Sequence, residues 1–299
     1  KYEKLLSFWV KGLIFDWNKL YGEVKPCRIS LPTYPFAKER YWLPQDKGEL
    51  AGSMVSDIAS YRLLHPLLHQ NTSTLSEQRF STIFTGREFF FSDHQVQGQR
   101  VLPGVAYLEM VRAALEQGAG YSGDGHSGIR LKNTVWARPI VVGDQPVRVH
   151  IGIIPEDNGE ITYEIYGDGQ ADETEPIVYS QGGASLIAVQ ETPSLDLKVL
   201  QGRCNQRSLS PAEIYGAFRK MGIDYGPGFR GIEVMYLGAD QVLAKLSLPS
   251  SVFHTQDQYF LHPSIMDAAL QASLGLMADA GDLTGSGGKP SLPFALESL

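Results

Sequence analysis

Three residues of one short segment could together move a proton beside a carbonyl group. His94, Gly98 and Pro103 lie between Asp93 and Gly104, in a stretch that predicts a loop leading into a helix. Gly98 would let the backbone approach a ligand, and N–H groups at a helix start formed by Pro103 and Gly104 could polarise a carbonyl. The His94 imidazole could accept the proton, because histidine is the side chain that most often exchanges protons near neutral pH. The alternative is a turn histidine that only makes hydrogen bonds, and it is favoured until a partner is found.

Asp267 is the candidate partner, and it lies in an otherwise apolar predicted helix. Gln271 follows four residues later, so both side chains share one helix face and the amide can orient the carboxyl group. Apolar surroundings raise the pKa of a carboxyl group and keep it protonated as an acid, whereas nearby helix N-termini favour the carboxylate. The sequence leaves open which effect wins. Taken alone, these residues favour the alternative of a solvated aspartate with Gln271 as an incidental neighbour.

A third cluster is the turn sequence that runs from Gly222 to Phe229. Glycine and proline fix a tight turn there, which would present the Tyr225 hydroxyl and the Gly226 amide to a substrate oxygen. A rigid turn with a capping tyrosine explains the same residues equally well.

The elements that must position these residues are short strands and two helices. Val147–Ile153 and Ile161–Ile165 alternate apolar and polar residues, which predicts half-buried strands. Apolar residues at helical spacing predict one helix from Pro103 to about Gln117 and a second, long helix from Pro263 to near Gly281. Together they indicate an α+β fold.

Further elements suggest that the same plan occurs twice. An aromatic strand is predicted at Phe89–Phe91, a helix start at Ser210, a strand at Val242–Leu248 and a final strand near Leu292. We therefore expect two strand-plus-helix units, at residues 61–200 with His94 and 201–299 with Asp267. The second unit ends early, so we expect either a truncated chain or a partner that completes its sheet.

The first 45 residues differ from the rest because aromatic residues alternate with prolines. Prolines exclude a continuous helix or central strand, and a short extended segment cannot bury so many aromatic rings alone. We therefore predict that residues 1–45 form an interdomain strap that packs on a neighbouring domain. Residues 46–60 are polar and predict a flexible linker.

Composition excludes several classes of function. The 33 acidic residues outnumber the 26 Lys and Arg residues, and the net charge of −7 argues against nucleic-acid binding. No apolar run reaches the roughly 20 residues of a membrane-spanning helix, so we expect a cytoplasmic protein. Cys27 and Cys204 lack metal-ligand spacing, and Pro66 between His65 and His69 argues against a metal there. We predict no metal site.

Taken in order, the candidate residues resemble the motifs of polyketide synthase dehydratases. The resemblance covers roughly residues 60 to 299, and the ordered set is far more specific than any one motif. Ile29–Trp42 also looks like the linker that precedes such domains. One departure is Ile223, where the family often has tyrosine. The matches are His94-x3-Gly98-x4-Pro103, Tyr225-Gly226-Pro227-x-Phe229 and Asp267-x3-Gln271, with His262-Pro263 and Leu292-Pro293-Phe294 also similar.

The resemblance implies a double hot-dog fold, in which the first half supplies His94 and the second supplies Asp267 to one cleft. It implies dehydration of a 3-hydroxyacyl thioester carried on the phosphopantetheine arm of an acyl carrier protein, with no cofactor bound by the domain. His94 would be the general base and Asp267, held by Gln271, the general acid. Substrate would be bound or oriented by Tyr225 and by the backbone at Gly98, Pro103, Gly104 and Gly226.

The resemblance also implies binding partners for the domain and two alternative functions. The partners implied are the carrier protein, neighbouring synthase domains and a second copy of the domain in a homodimer. An enoyl isomerase of the same fold would move a proton without losing water. Asp267 and Pro103 speak against it, because the resemblance suggests that double-bond-shifting members alter one or both. A non-catalytic scaffold domain is the other alternative.

Overall fold

The structure is a computed structural model that describes residues 2–20, 63–75, 77–119, 127–168, 176–188, 194–277 and 292–299. The chain divides into two compact units, Lys1–Ile58 and Ala59–Leu299. The predicted linker at residues 46–60 and most of the predicted strap lie outside the described residues.

The described part of the smaller unit is helical where the sequence predicted an extended strap. Helix α1 spans Tyr2–Val10, and a 3-10 helix spans Trp17–Leu20. The prediction was wrong here because it extended the effect of the prolines, which begin only at Pro26, to residues that precede them. α1 buries none of its residues, and it exposes Phe8 and Trp9.

The larger unit contains five α-helices and fourteen strands among its described residues. The helices are α2 (Phe89–Ser92), α3 (Gly104–Ala119), α4 (Leu197–Arg203), α5 (Pro211–Lys220) and α6 (Pro263–Gln271). The strands are β1 (Gln70–Asn71), β2 (Gln78–Phe84), β3 (His94–Val96), β4 (Gln99–Val101), β5 (Ser127–Trp136), β6 (Val141–Val142), β7 (Val147–Pro155), β8 (Ile161–Gly167), β9 (Ile177–Ala188), β10 (Arg207–Leu209), β11 (Ile223–Tyr225), β12 (Ile232–Leu237), β13 (Val242–Leu246) and β14 (Ala295–Ser298).

A seven-stranded antiparallel sheet, in the order β1-β2-β7-β8-β9-β5-β14, packs against α3. Both predicted strands form, and β8 buries alternate residues as expected. On β7 the whole of Val149–Ile153 is buried and not only alternate residues, because His150 and Gly152 on the other face lie against Tyr166. The predicted final strand near Leu292 is confirmed as β14. It pairs with β5 of the first half, although the sequence placed it in the second unit.

The second half has a smaller sheet, β10-β12-β13, beside α5 and α6. The helix start predicted at Ser210 is confirmed by a capping box with Glu213. The second long helix is shorter than predicted, because α6 ends at Gln271 and a 3-10 helix follows over Ala272–Met277. Gly275 in this 3-10 helix lies so close to β12 and β13 that a Cβ would be 2.7 Å from their side chains. Residues 278–291 lie outside the description.

The predicted aromatic strand Phe89–Phe91 is one turn of helix, α2. The Glu88 carboxylate accepts hydrogen bonds from the Thr85 N–H and hydroxyl at 2.9 and 3.0 Å, which fixes the turn before α2. As a result Phe90 and Phe91 are both buried, which two successive residues of a half-buried strand could not be.

A four-stranded sheet, β11-β3-β4-β6, joins the two halves. β3 and β4 form a hairpin where the sequence predicted a loop, and Gln97 and Gly98 turn it with φ of 51° and 77°. β11 of the second half pairs with β3, so that Tyr225 lies opposite His94.

A buried carboxylate, Glu109 of α3, also connects the halves. Its oxygens accept hydrogen bonds from the backbone N–H groups of Phe260 and Leu261, both at 2.9 Å, just before α6. Arg112 binds the same carboxylate through two nitrogens, and His65 Nε2 lies 3.2 Å away. Burial would raise the pKa of Glu109, but these hydrogen bonds lower it to about 2.

We expect Glu109→Ala to lower the free energy of unfolding by about 3 kcal/mol or more, because it leaves the buried Arg112 charge without its main partner. Glu116→Ala is the matched control, since Glu116 binds the same guanidinium at 2.9 Å from a more exposed position. That control should cost less than about 1 kcal/mol. Urea unfolding of both variants tests the difference, and equal losses would contradict it.

Candidate active site

His94 is buried on β3, and its ring orientation is fixed by a neighbour. Nδ1 lies 2.8 Å from the carbonyl oxygen of Val101 on β4. Because a carbonyl can only accept, Nδ1 carries the hydrogen, and the neutral ring has its lone pair on Nε2. The ring centroid of His94 lies 5.5 Å from that of Tyr225 and 5.6 Å from that of Phe229. The geometry therefore leaves Nε2 as the ring atom that can accept a proton.

Asp267 is buried on α6 and is held by Gln271, as the spacing predicted. Gln271 Nε2 donates to Asp267 Oδ2 at 2.8 Å and to the Phe229 carbonyl at 3.1 Å. Burial raises the pKa of Asp267, while His94, Gln271 and Tyr225 act in the opposite direction. Burial wins, so this carboxyl group keeps its proton to higher pH than a solvated aspartic acid. The alternative of a solvated helix aspartate is wrong.

Tyr225 ends β11 beside these two residues. It is buried, and its side chain lies close enough to Asp267 for the two groups to interact. Burial, followed by the charge of Asp267, raises the pKa of Tyr225 well above its usual value. The side chain therefore stays a neutral hydroxyl. The structure brings together His94, Tyr225, Asp267 and Gln271 as the sequence proposed.

The backbone positions proposed for substrate contact differ in whether their N–H groups and conformations are already explained by contacts within the protein. Gly226 does not offer a free amide, because its N–H donates to the carbonyl of Asp93 at 2.8 Å. Gly98 lies at the hairpin turn with a positive φ, which explains a glycine without any ligand. Pro103 is buried directly before α3, and Gly104 is the first residue of α3. Their contact with substrate stays a prediction.

Two residues beside the site were missed by the sequence analysis as functional positions. Phe229 contacts the His94 ring and accepts from Gln271, and Asp93 binds the turn after Tyr225. The spacing of Gly226 and Gly228 was the available signal, since two glycines around one turn residue indicate a close neighbour.

The helix that carries Asp267 begins with a buried histidine. His262 Nδ1 accepts the Ser264 N–H at 3.2 Å and so caps α6, while Nε2 lies 3.0 Å from the Thr255 hydroxyl oxygen. Burial lowers the pKa of His262 to about 4, although the Glu109 charge acts in the opposite direction. The cap needs an unprotonated Nδ1, so protonation removes it.

The unfolded chain binds this proton near pH 6.5, whereas the folded chain binds it only near pH 4. The free energy of unfolding should therefore decrease as the pH is lowered from 6.5 to 4. The contribution of His262 is complete above pH 6.5, and we expect about 3 kcal/mol to be lost on acidification to pH 4. Urea unfolding at several pH values should show this slope in the wild type. His262→Asn, which can cap but does not titrate, should have a shallower slope, and equal slopes would contradict the assignment.

Neither a metal centre nor a membrane span is found in the described part of the chain. No group of three or more His, Cys, Asp or Glu residues there is arranged to hold a metal ion. Within the same residues, no helix has the length and apolar character needed to cross a bilayer.

Two family models match this chain on either side of the junction between its halves. One is described as a polyketide synthase dehydratase domain and matches residues 65–168. The other is described as a polyketide synthase dehydratase N-terminal domain and matches residues 192–299.

Curated relatives and solved structures agree with these matches. Polyketide synthases PksN and PksM of Bacillus subtilis are 52% and 46% identical over 100% and 99% of this chain, which spans only 5% and 7% of their lengths. The crystal structure of a trans-AT PKS dehydratase domain from Brevibacillus brevis is 56% identical, with a TM-score of 0.74 over 79% of this chain and 80% of that one. The double hot-dog fold is confirmed, and the chain belongs to the dehydratase domains of polyketide synthases, which carry out dehydration during polyketide biosynthesis.

Proposed function

We propose that this domain removes water from a 3-hydroxyacyl thioester carried on the phosphopantetheine arm of an acyl carrier protein. One observation carries the proposal. A buried histidine whose Nδ1 is held by Val101 and a buried carboxyl group whose pKa is raised both lie beside Tyr225, and the two come from different halves of the fold. Such a pair supplies the base and the acid that an elimination requires.

His94 Nε2 removes the proton from C2, and the electron pair forms the C2–C3 double bond. Charge that develops on the thioester carbonyl oxygen is stabilised by backbone N–H groups at the start of α3, where Gly104 follows Pro103. The C3–O bond breaks as Asp267 gives its proton to the departing hydroxyl, which leaves as water. The product is an α,β-unsaturated thioester. His94 then holds a proton and Asp267 is a carboxylate, so the proton on His94 must pass to Asp267, directly or through solvent, before the next cycle.

Gln271 and Tyr225 prepare Asp267 for this role. The Gln271 amide donates to Oδ2 and thereby fixes the orientation of the carboxyl group. The Tyr225 hydroxyl lies near Asp267 and stays neutral, so it can donate to Asp267 or contact the substrate hydroxyl. Neither side chain has to change its charge during the reaction.

Mass spectrometry of a synthetic 3-hydroxyacyl pantetheine thioester, free or loaded on a carrier protein, tests the proposal. Loss of one water with this chain supports it. An enoyl thioester supplied in parallel distinguishes the alternatives: migration of its double bond without any water loss from the hydroxy substrate would indicate the isomerase. No change in either substrate would indicate the scaffold domain.

We also propose that the strap at residues 1–45 packs on a neighbouring synthase domain. α1 supports this because Phe8, Trp9 and Val10 are exposed and no residue of the helix is buried. Apolar side chains at this density gain free energy when another surface covers them. Binding of an acyl carrier protein, formation of a homodimer and a cytoplasmic location stay predictions.

A further inference from the structure

The two halves meet at the reaction centre through the short paired strands β3 and β11, and this pairing ends at His94. β11 and β3 are paired over only three residues each, and the last pair is Tyr225 opposite His94. Asp93 is the next residue of the first half beyond this pair. Its carbonyl accepts the Gly226 N–H at 2.8 Å, and its carboxylate Oδ2 accepts the Gly228 N–H at 2.7 Å. Asp93 therefore binds the turn after β11 through both its backbone and its side chain.

The turn is shaped around this carboxylate. A Cβ at position 226 would lie 2.5 Å from Asp93 Cγ, and one at position 228 would lie 2.9 Å from Asp93 Oδ2. Any residue other than glycine at either position would have to displace the aspartate. This close fit explains why both positions are glycine, and it indicates that the Asp93 side chain is an integral part of the turn.

The same turn leads directly to the general acid. Phe229 follows Gly228, and its carbonyl accepts from the Gln271 amide that also holds Asp267. The Phe229 ring packs against His94 at 5.6 Å between centroids. A shift of this turn would therefore move the support of Asp267 and one wall beside His94 together.

We propose that Asp93 is a positioning residue that sets the geometry between His94 and Asp267 across the two halves, without touching the substrate. The proposal rests on the proposed function, in which those two residues are base and acid. Misplacement of a catalytic group by about 1 Å can lower a rate by about a hundredfold. A residue that holds the two halves at this point should therefore affect turnover more than substrate affinity.

The experiment compares Asp93→Ala, Asp93→Asn and Ser92→Ala in the full chain by steady-state water loss from the 3-hydroxyacyl thioester. Asp93→Ala removes the acceptor of the Gly228 N–H and should lower kcat by about ten- to a hundredfold, with KM within about twofold. Asp93→Asn keeps an acceptor oxygen of the same shape and should recover most of kcat. Ser92→Ala removes a neighbouring hydroxyl that binds Asp93 Oδ1 at 3.2 Å, and it should match the wild type.

Hydrogen exchange of the peptide covering residues 222–231 adds a readout that is independent of activity. Exchange should increase in Asp93→Ala and not in Asp93→Asn, with melting temperatures measured for all variants. If the wild type is active and Asp93→Ala has the same kcat, the positioning role is overturned but the proposed function is not. Equal inactivation by Ala and Asn would also overturn it, because the acceptor would not be what matters. An inactive wild type would overturn the proposed function and this role with it.

Discussion

Replacing His94 by glutamine should lower the rate of dehydration by about a thousandfold or more, because no other described side chain at the site can take the C2 proton. General acid–base catalysis by one positioned group contributes about 10²–10⁴-fold. His94 is buried, and its Nδ1 hydrogen is held by Val101, so Nε2 is fixed as the basic atom. Glutamine approximates the size of the side chain and can still donate to Val101, but its amide is not a base.

Single-turnover mass spectrometry of the hydroxyacyl thioester is the measurement, with exchange of the C2 hydrogen for deuterium as a second readout. His94→Gln should lose both, because proton removal at C2 precedes or accompanies loss of water. Phe229→Leu is the control, since it changes the wall beside His94 and leaves the base intact. Retention of more than a tenth of the wild-type rate by His94→Gln would show that another group is the base.

The amino-acid sequence predicts a side-chain contact correctly where both residues lie within one element. Asp267 and Gln271 are one helical turn apart, so their hydrogen bond follows from helix geometry alone. The residues around Asp267 favoured a solvated side chain, and only the structure shows that it is buried and that burial outweighs the opposing interactions. That balance depends on His94 and Tyr225, which lie far away in the chain.

The errors arise where distant segments meet. Gly226 seemed to offer a free amide in the sequence, but Asp93 accepts that hydrogen from more than a hundred residues earlier, and the same aspartate binds Gly228 at a separation of 135 residues. The pairing of β14 with β5 is of the same kind. No local pattern encodes either partner.

One wrong prediction concerns a feature that a local sequence pattern does encode. The sequence predicted a loop after His94, although Gln97 and Gly98 form a two-residue turn between short strands. Glycine at the second position of such a turn is typical of a hairpin. Recognising the hairpin would have placed Val101 near His94, and with it the acceptor that fixes the tautomer.

The second large effect is expected for Asp267→Asn, which should slow water loss by about a hundred- to a thousandfold. Asparagine has the shape of aspartic acid and can still accept from Gln271, but it cannot give a proton to the departing hydroxyl. The C3–O bond would then have to break with hydroxide as the leaving group. His94 is unchanged in this variant, so proton removal at C2 should persist, and deuterium exchange at C2 should be lost far less than dehydration.

A substrate with a better leaving group separates the acid from the base. A 3-fluoroacyl thioester releases fluoride, which needs much less protonation than hydroxide, so Asp267→Asn should eliminate fluoride at a rate close to that of the wild type. His94→Gln should stay slow with both substrates, because removal of the C2 proton is required in either case. If Asp267→Asn were equally slow with the fluoro substrate, Asp267 would be acting on substrate position or on His94 and not as the acid. The two variants and two substrates thus assign each proton transfer to one side chain, since only a general acid becomes dispensable when the leaving group improves.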